Sequence, residues 1–175
     1  RMGRGLHLGF IANRSVVMIQ IRKAELSDWR WIHQWENFES LWEVTEHPGP
    51  FTSDEIIQFL THQNDLKIHK QERWLILLYQ EPIGMIDLFE WNKKKSSIGI
   101  GIAIPDAQYR RRGYALDALK LSLDVLQSQW QIKNVHCNIQ DKNKGSLSLF
   151  SKLGFEKIQK KKWNGHVVHE LSLSL

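Results

Sequence analysis

Three consecutive arginines occupy the stretch YRRRGYA at positions 109–115, which separates an apolar run at 98–104 from an amphipathic run that begins at Leu116. If the second run is a helix, its first N–H groups lack intrahelical partners and its dipole favours an anion. Gly113 has no side chain and lets the backbone come close to a ligand. The pattern is typical of a turn that binds phosphate, although a surface turn with solvated arginines has the same composition.

The other reactive side chains form no comparable pattern. The eight histidines are scattered and lack HExxH or Cys/His metal spacing, so no metal site is predicted. His166 and His169 fall on opposite faces of a predicted strand. Cys137, the single cysteine, alternates with Val135 and Ile139, and we expect a core residue there rather than a thiol nucleophile.

The sequence predicts both strands and helices around the arginine turn. Strands are predicted at 18–24, 73–80, 82–91, 96–104, 134–140 and 166–175, and helices at 26–38, 50–63, 115–130 and 143–155. Thr52 and Glu55 have capping-box spacing, Ser27 or Asp28 is a candidate cap of the first helix, and Gly154 ends the last helix. A three-stranded meander followed by a strand–helix–strand–helix–strand half indicates one α/β domain.

The composition excludes several classes of protein. The chain has 175 residues, 42% hydrophobic and 25% charged, which is typical of one soluble globular domain. A single cysteine rules out an intrachain disulfide framework and favours the cytoplasm, and no apolar run approaches the roughly 20 residues of a membrane helix. Because the strand pattern begins at Met18, we expect residues 1–17 to be an upstream or added segment and 18–175 to be the folded domain.

Charge is distributed unevenly along the chain. Residues 25–72 hold ten carboxylates against three lysines and arginines, a net of −7, whereas 91–175 hold six against fifteen, a net of +9. A nucleic-acid binder needs a continuous basic surface, and here the basic residues occur singly or in threes. No nucleic-acid partner is therefore predicted.

Two motifs in sequence order carry a family resemblance. Residues 110–115 fit Arg/Gln-x-x-Gly-x-Gly/Ala, and 28 residues after Ala115 the chain reads Asn143-x-x-Ser146-x-x-x-Phe150-x-Lys152-x-Gly154-Phe155. This pair, with one helix and one strand between, resembles the GCN5-related N-acetyltransferase (GNAT) superfamily over most of 18–175. Together with the stretch at 83–104, it is most similar to the branch of spermidine and ribosomal-protein N-terminal acetyltransferases.

The resemblance implies a fold and a co-substrate. The fold is a single α/β domain with a mixed, mostly antiparallel sheet flanked by helices and a V-shaped splay between the strands at 96–104 and 134–140. Acetyl-CoA would be the co-substrate, with its pyrophosphate on the backbone of 111–115 and its pantetheine arm along the strand edge near 102–104. The donor-binding residues implied are Ile102, Ala103, Ile104, Arg110, Arg111, Arg112, Gly113, Tyr114, Ala115, Asn143 and Phe150.

Two positions depart from the family pattern. Many members carry at position 150 a tyrosine that protonates the leaving thiolate, and Phe150 has no proton to donate. Ser97 stands where related chains often carry a glutamate suited to be the base. The resemblance therefore leaves the proton carriers open.

Asp87 and Glu90 are the candidate bases because they match acidic positions of the spermidine-type branch. An amine with a pKa of about 10.4 must lose a proton before it attacks, which costs about 4.6 kcal/mol at neutral pH. A nearby carboxylate can accept that proton. Strand alternation places the two on opposite faces unless a bulge intervenes, and either can instead be a solvated charge.

The acidic segment, residues 25–72, supplies the candidate acceptor site. Glutamates at 36, 39, 43 and 46 interleave with aromatic residues at 35, 38 and 42, and carboxylates with aromatic faces attract ammonium groups. An amphipathic helix with buried tryptophans and solvated glutamates explains the same pattern. The acceptor-binding residues predicted are Trp35, Glu36, Glu39, Trp42 and Glu43.

The prediction is an acetyl-CoA-dependent N-acetyltransferase whose acceptor is a polyamine, a diamine or another small cationic amine. Acetylation of protein N-terminal amines is the alternative activity, and a catalytically silent acyl-CoA-binding module is the alternative without activity. Neither a membrane nor a nucleic acid is an expected partner, and a homo-oligomer is left open.

Overall fold

The computed structural model describes residues 18–45 and 49–175. The predictions for residues 1–17 and for Glu46 lie outside the described residues. Within the described part, no helix combines the length and the apolar character needed to cross a membrane.

The described residues form a seven-stranded sheet in the order β1-β2-β3-β4-β5-β7-β6. Every neighbouring pair is antiparallel except β4 and β5, which are parallel. The strands are β1 (Ile19–Lys23), β2 (Glu72–Leu78), β3 (Glu81–Asn92), β4 (Ser97–Ala103), β5 (Asn134–Gln140), β6 (Glu156–Trp163) and β7 (His166–Ser174).

Helices cover both faces of the sheet. They are α1 (Trp29–Glu36), α2 (Glu39–Trp42), α3 (Ser53–His62), α4 (Leu66–His69), α5 (Tyr114–Trp130) and α6 (Lys144–Lys152). On one face, which we call the α5 face, the core joins α5 and α6 to Trp74, Ile86 and Ile100 of the sheet. On the other, the α1–α3 face, Leu75 and Met85 pack with residues of α1 and α3.

The predicted fold class is confirmed, and several helix signals match the structure. Thr52 and Glu55 make the capping box of α3, with the Glu55 N–H donating to Thr52 Oγ1 at 3.2 Å. Cys137 is 2% exposed, and burial raises the pKa of its thiol to about 12, so it is a core residue. Asp28, one of the two predicted caps, is the N-cap residue of α1, but its side chain makes no capping bond there and instead accepts the N–H of Glu25 ahead of the preceding 3-10 turn.

One strand and two short helices escaped prediction. β6 reads EKIQKKKW and lies at the edge of the sheet, where it pairs only with β7, and its side chains are almost all exposed. Such a strand has no buried face and therefore no apolar alternation. The four-residue helices α2 and α4 are too short for a helical period to show.

The parallel pair β4–β5 separates soon after it begins. Pairing covers Ser97–Asn134, Ile98–Val135 and Gly99–His136 and then stops, although β4 continues to Ala103 and β5 to Gln140. The two strands therefore diverge toward their carboxyl ends, next to the amino ends of α5 and α6. This is the predicted V-shaped splay, and it leaves one edge of β4 open.

Candidate functional site

The open edge of β4 is the first element of the site. Residues 97–103 pair with β3 on one side, whereas in the described part of the chain no strand pairs with the other side beyond Gly99. Ile102 and Ala103 lie in this stretch, and Ile104 directly follows it. An edge of this kind can bind a ligand arm that carries amides, in the manner of an added strand.

The turn before α5 provides open space against backbone. Gly113 has φ +83°, a left-handed conformation that favours glycine, and a Cβ built there would meet nothing within 4 Å. Tyr114 and Ala115 form the first turn of α5 and are half-buried. Because the N–H groups of that turn lack helical partners, the geometry fits an anion such as a pyrophosphate.

The three arginines of the turn divide into two groups. Arg110 donates to the carbonyl oxygens of Ile104 (Nε, 3.0 Å) and Pro105 (2.6 Å), and Arg112 Nε donates to Gln108 O at 2.8 Å. These two guanidinium groups hold the loop in shape. Arg111 is exposed and its side chain has no partner among the described residues, so it is the arginine free to reach a ligand.

Asn143 both caps α6 and keeps donors for a ligand. Its Oδ1 accepts the backbone N–H of Ser146 at 3.2 Å. Its Nδ2 group has no partner among the residues described. The cap and the implied donor-binding role of Asn143 are thus compatible, because they use different atoms.

The structure places Phe150 in the core and not at the surface of the splay, which corrects its assignment as a donor-contacting side chain. Phe150 is 2% exposed and meets Phe155 edge-on, with ring centroids 5.0 Å apart. A phenyl ring satisfies this apolar environment, whereas a hydroxyl there would need a partner. We assign Phe150 to packing.

A buried ion triad occupies the α1–α3 face beside β4. Arg73 of β2 donates to Asp87 of β3 through Nε (2.6 Å) and a terminal nitrogen (3.0 Å), and it pairs with Glu36 of α1 at 2.7 Å. The Arg73 side chain is 11% exposed and its guanidinium lies 5.3 Å from the centre of the Phe59 ring. Asp87 is the register partner of Gly101 on β4, so the triad lies one strand away from the open edge.

The triad changes what Asp87 can do. Burial alone would lower the pKa of Arg73, but the carboxylates of Asp87 and Glu36 outweigh it and raise that pKa above its usual value. Both oxygens of Asp87 already accept hydrogen bonds from Arg73. Asp87 is therefore the counter-ion of Arg73, and its predicted role as a base stays a prediction.

Glu90 stands apart from the triad because β3 bulges. The register of β3 on β4 shifts between Phe89 and Asn92, and Glu90 has φ +52°. The Glu90 carboxylate is exposed and lies 2.8 Å from Nε2 of His136 on β5. His136, the partner of Glu90, was not among the residues that the sequence singled out.

The predicted acceptor residues separate into buried and exposed members. Trp35 is 3% exposed within the core of the α1–α3 face, and Glu36 is held by Arg73, so both are structural. Trp42 donates from Nε1 to the carbonyl oxygen of Glu36 at 2.7 Å and is half-buried. Glu39 and Glu43 are exposed and free to attract a cation.

A small cavity of about 190 Å³ lies between α2 and the β6–β7 hairpin on the same face. Among the described residues, its lining is aromatic and polar and has no carboxylate: Trp42, Thr45, Gln140, Trp163, Asn164, His166 and Val168. Gln140 donates to Thr45 O at 3.4 Å, whereas its Oε1 is buried without a partner. A ligand N–H or a water molecule can donate to this oxygen.

The net negative charge of residues 25–72 is partly compensated in the fold by neighbouring basic residues. Asp28 pairs with Arg22 and Glu72 with Lys23, and these two basic residues and Arg73 lie just outside the 25–72 window. Over 18–73 the ten carboxylates face six lysines and arginines, a net of −4. Attraction of a cation thus depends on a few exposed carboxylates rather than on the whole segment.

Comparison with known proteins identifies acetyltransferases as the similar family and structures. The family model described as "Acetyltransferase (GNAT) domain" matches residues 19–156. A spermidine N-acetyltransferase from Vibrio cholerae, solved with CoA and spermine, is 20% identical with a TM-score of 0.78 and covers 89% of this chain and 95% of its own. The comparison with curated protein sequences gave no match.

Two ribosomal-protein acetyltransferase structures are equally similar in fold. The RimL ribosomal L7/L12 alpha-N-protein acetyltransferase in complex with coenzyme A is 15% identical with a TM-score of 0.79, covering 92% of this chain and 96% of its own. The ribosomal-protein-S5-alanine acetyltransferase from Vibrio fischeri is 17% identical with a TM-score of 0.78, covering 89% and 92%. At such identities the likeness concerns the fold.

Proposed function

The chain belongs to the acetyltransferase (GNAT) family, and from this membership we propose that it acetylates a small cationic primary amine such as a polyamine or diamine. As a family member it is an N-acetyltransferase with acetyl-CoA as its co-substrate. The observation that carries the proposed acceptor is the excess of carboxylates over arginine on the α1–α3 face, next to β3. Glu36, Asp87 and Glu90 all lie there.

The donor side of the proposal uses groups that the fold leaves unpaired. Backbone N–H groups at the start of α5 and the Arg111 guanidinium would hold the pyrophosphate, and Asn143 Nδ2 and the edge of β4 would hold the pantetheine arm. Acetyl-CoA supplies an activated acetyl group as a thioester. The residues of the chain then have to orient it and to remove a proton from the acceptor.

A cationic acceptor suits the other side of the splay. The triad of Glu36, Arg73 and Asp87 carries a net charge of −1, and Glu39 and Glu43 add exposed negative charge nearby in sequence. Trp42 and Trp163 offer aromatic faces in the small cavity, which can bind an ammonium group. The spermidine N-acetyltransferases among the similar structures have acceptors of this class.

A protein N-terminal amine is the second candidate acceptor, and one observation favours it. β6 is an edge strand whose hairpin with β7 lines the small cavity. An extended peptide can pair with such an edge while its amino end reaches toward the splay. The ribosomal-protein acetyltransferases among the similar structures act on proteins.

We expect CoA to stabilise the folded protein. A ligand at about 100 times its Kd stabilises the native state by about 2.7 kcal/mol, which corresponds to a rise in Tm of roughly 5–10 °C for a chain of this length. Differential scanning fluorimetry with increasing CoA measures it. Arg111→Gln should weaken CoA binding about tenfold, whereas the control Lys120→Gln, an exposed position of α5, should not; no shift with saturating CoA would contradict the donor site.

The acceptor is tested by turnover against a panel of monoamines, diamines, polyamines and N-terminal peptides. We expect a polyamine to have the highest kcat/KM and its KM to rise with salt, because exposed charges are screened beyond about 8 Å at physiological ionic strength. Glu39→Gln with Glu43→Gln should raise that KM about two- to fivefold. The matched control removes two exposed carboxylates elsewhere, Glu81→Gln with Asp124→Asn, and a peptide that outperforms every amine would favour the second candidate.

A further inference from the structure

The vertex of the splay brings β3, β4 and β5 together around His136. Gly99 and His136 are the last register pair of β4 and β5. A Cβ at position 99 would overlap the Phe89 ring, so only glycine lets that ring lie over β4. The Phe89 ring meets His136 edge-on at a centroid distance of 5.7 Å. The imidazole is thereby fixed on the α1–α3 face, the face of the ion triad.

Glu90 fixes the protonation pattern of the ring. The β-bulge turns Glu90 toward β5, where its Oε2 lies 2.8 Å from His136 Nε2. Because an ionised carboxylate only accepts hydrogen bonds, Nε2 carries the proton in the neutral imidazole. The lone pair is then on Nδ1, which has no partner among the described residues.

The charged groups that face His136 come from two strands. Glu90 approaches from β3, and Glu170 of β7 is close enough for the histidine to help lower its pKa, after the larger effect of the hydrogen bond from Gln159. Glu170 is also paired with Lys161 of β6 at 3.6 Å. The β4 residue beside His136 is Gly99, which adds no charged side chain. The His136 side chain is 24% exposed, so it is held firmly and is still reachable.

We propose that His136 is the catalytic residue that accepts the proton of the acceptor amine, and that Glu90 is its positioning residue. The inference rests on the proposed function. Asp87, the other predicted base, has both oxygens bound by Arg73, whereas Nδ1 of His136 keeps a free lone pair at the point where β4 and β5 separate.

The protons and electron pairs balance without a further group. The ammonium gives one proton to His136, which passes it to solvent. The neutral nitrogen attacks the acetyl carbonyl carbon, the C–N bond forms, and the C–S bond breaks with its electron pair going to sulfur. The nitrogen's second proton goes to that thiolate, directly or through water. No proton has to come from position 150, where the chain has Phe150.

His136→Gln tests the proposal because it separates structure from proton transfer. A glutamine amide can still donate to Glu90, so a purely structural role predicts near-normal turnover. A base role predicts a fall in kcat of about 100-fold with the CoA affinity unchanged, since general base catalysis contributes roughly 10²–10⁴-fold. Glu90→Gln should lower kcat about tenfold and leave CoA binding intact.

Two further readouts complete the test. Protonation of the imidazole removes the base, so the kcat of the wild type should fall at low pH, and that acid limb should be missing from His136→Gln. Added imidazole should partly restore His136→Gly. A His136→Gln enzyme with wild-type kcat and pH profile overturns this proposal alone. A wild type that acetylates no amine in the panel overturns the proposed function and this inference with it.

Discussion

Replacement of Arg73 by methionine is expected to destabilise the folded domain by about 3 kcal/mol. Removing one member of a buried ion group leaves the others uncompensated, at a cost of roughly 3–5 kcal/mol. Glu36 is left 14% exposed without its cation, whereas Asp87 is 44% exposed and can recover water. The partial exposure of Asp87 places the expected value at the lower end.

Urea unfolding measures this loss as a lower midpoint with an unchanged slope. If the lost pairing is the cause, adding Glu36→Gln and Asp87→Asn to Arg73→Met should recover most of the midpoint. Lys23→Met is the matched control, because Lys23 is a 41% exposed cation paired with a buried carboxylate, Glu72. An Arg73→Met protein within 0.5 kcal/mol of the wild type, a bound typical of surface substitutions, would show that the triad is not a stabilising element.

The triad also shows where sequence reasoning stops. Motifs whose partners are close in the chain were predictable: Thr52 and Glu55 are three residues apart, and Asn143 bonds to the N–H of Ser146. Arg73, by contrast, is 14 residues from Asp87 and 37 from Glu36. Nothing local marks those contacts: the pairing of β2 with β3 brings Asp87 to Arg73, and the packing of α1 on the sheet brings Glu36 there.

The proton-handling residues were harder to predict for the same reason. Glu90 reaches His136 only because β3 bulges, and the positive φ of Glu90 falls on a residue type that gives no turn signal. His136 is 46 residues further along the chain. The family pattern indicated the two acidic positions on β3, Asp87 and Glu90. The register of β3, β4 and β5 decides which of the two lies next to His136.

Gly113→Val is expected to abolish CoA binding, with a loss of more than 100-fold in affinity. The isopropyl group would occupy the open space that a Cβ at Gly113 enters without meeting protein atoms, which is where the pyrophosphate has to approach the backbone of the turn. The positive φ of +83° adds a strain of about 1–2 kcal/mol for any residue with a side chain. Binding and stability effects therefore have to be separated.

Gly165 provides the control for that separation. It has φ +78° in the β6–β7 hairpin, and a Cβ there also meets nothing within 4 Å. Gly165→Val should lose similar stability and keep its CoA affinity, whereas Gly113→Ala should give an intermediate loss of affinity because its methyl group is smaller. Isothermal titration calorimetry with CoA, below the unfolding temperature of each variant, measures the difference. Wild-type CoA affinity in Gly113→Val would show that the phosphate site lies away from this turn. If affinity is lost, the Gly165→Val control shows how much of the loss comes from backbone strain and not from the blocked approach of the pyrophosphate.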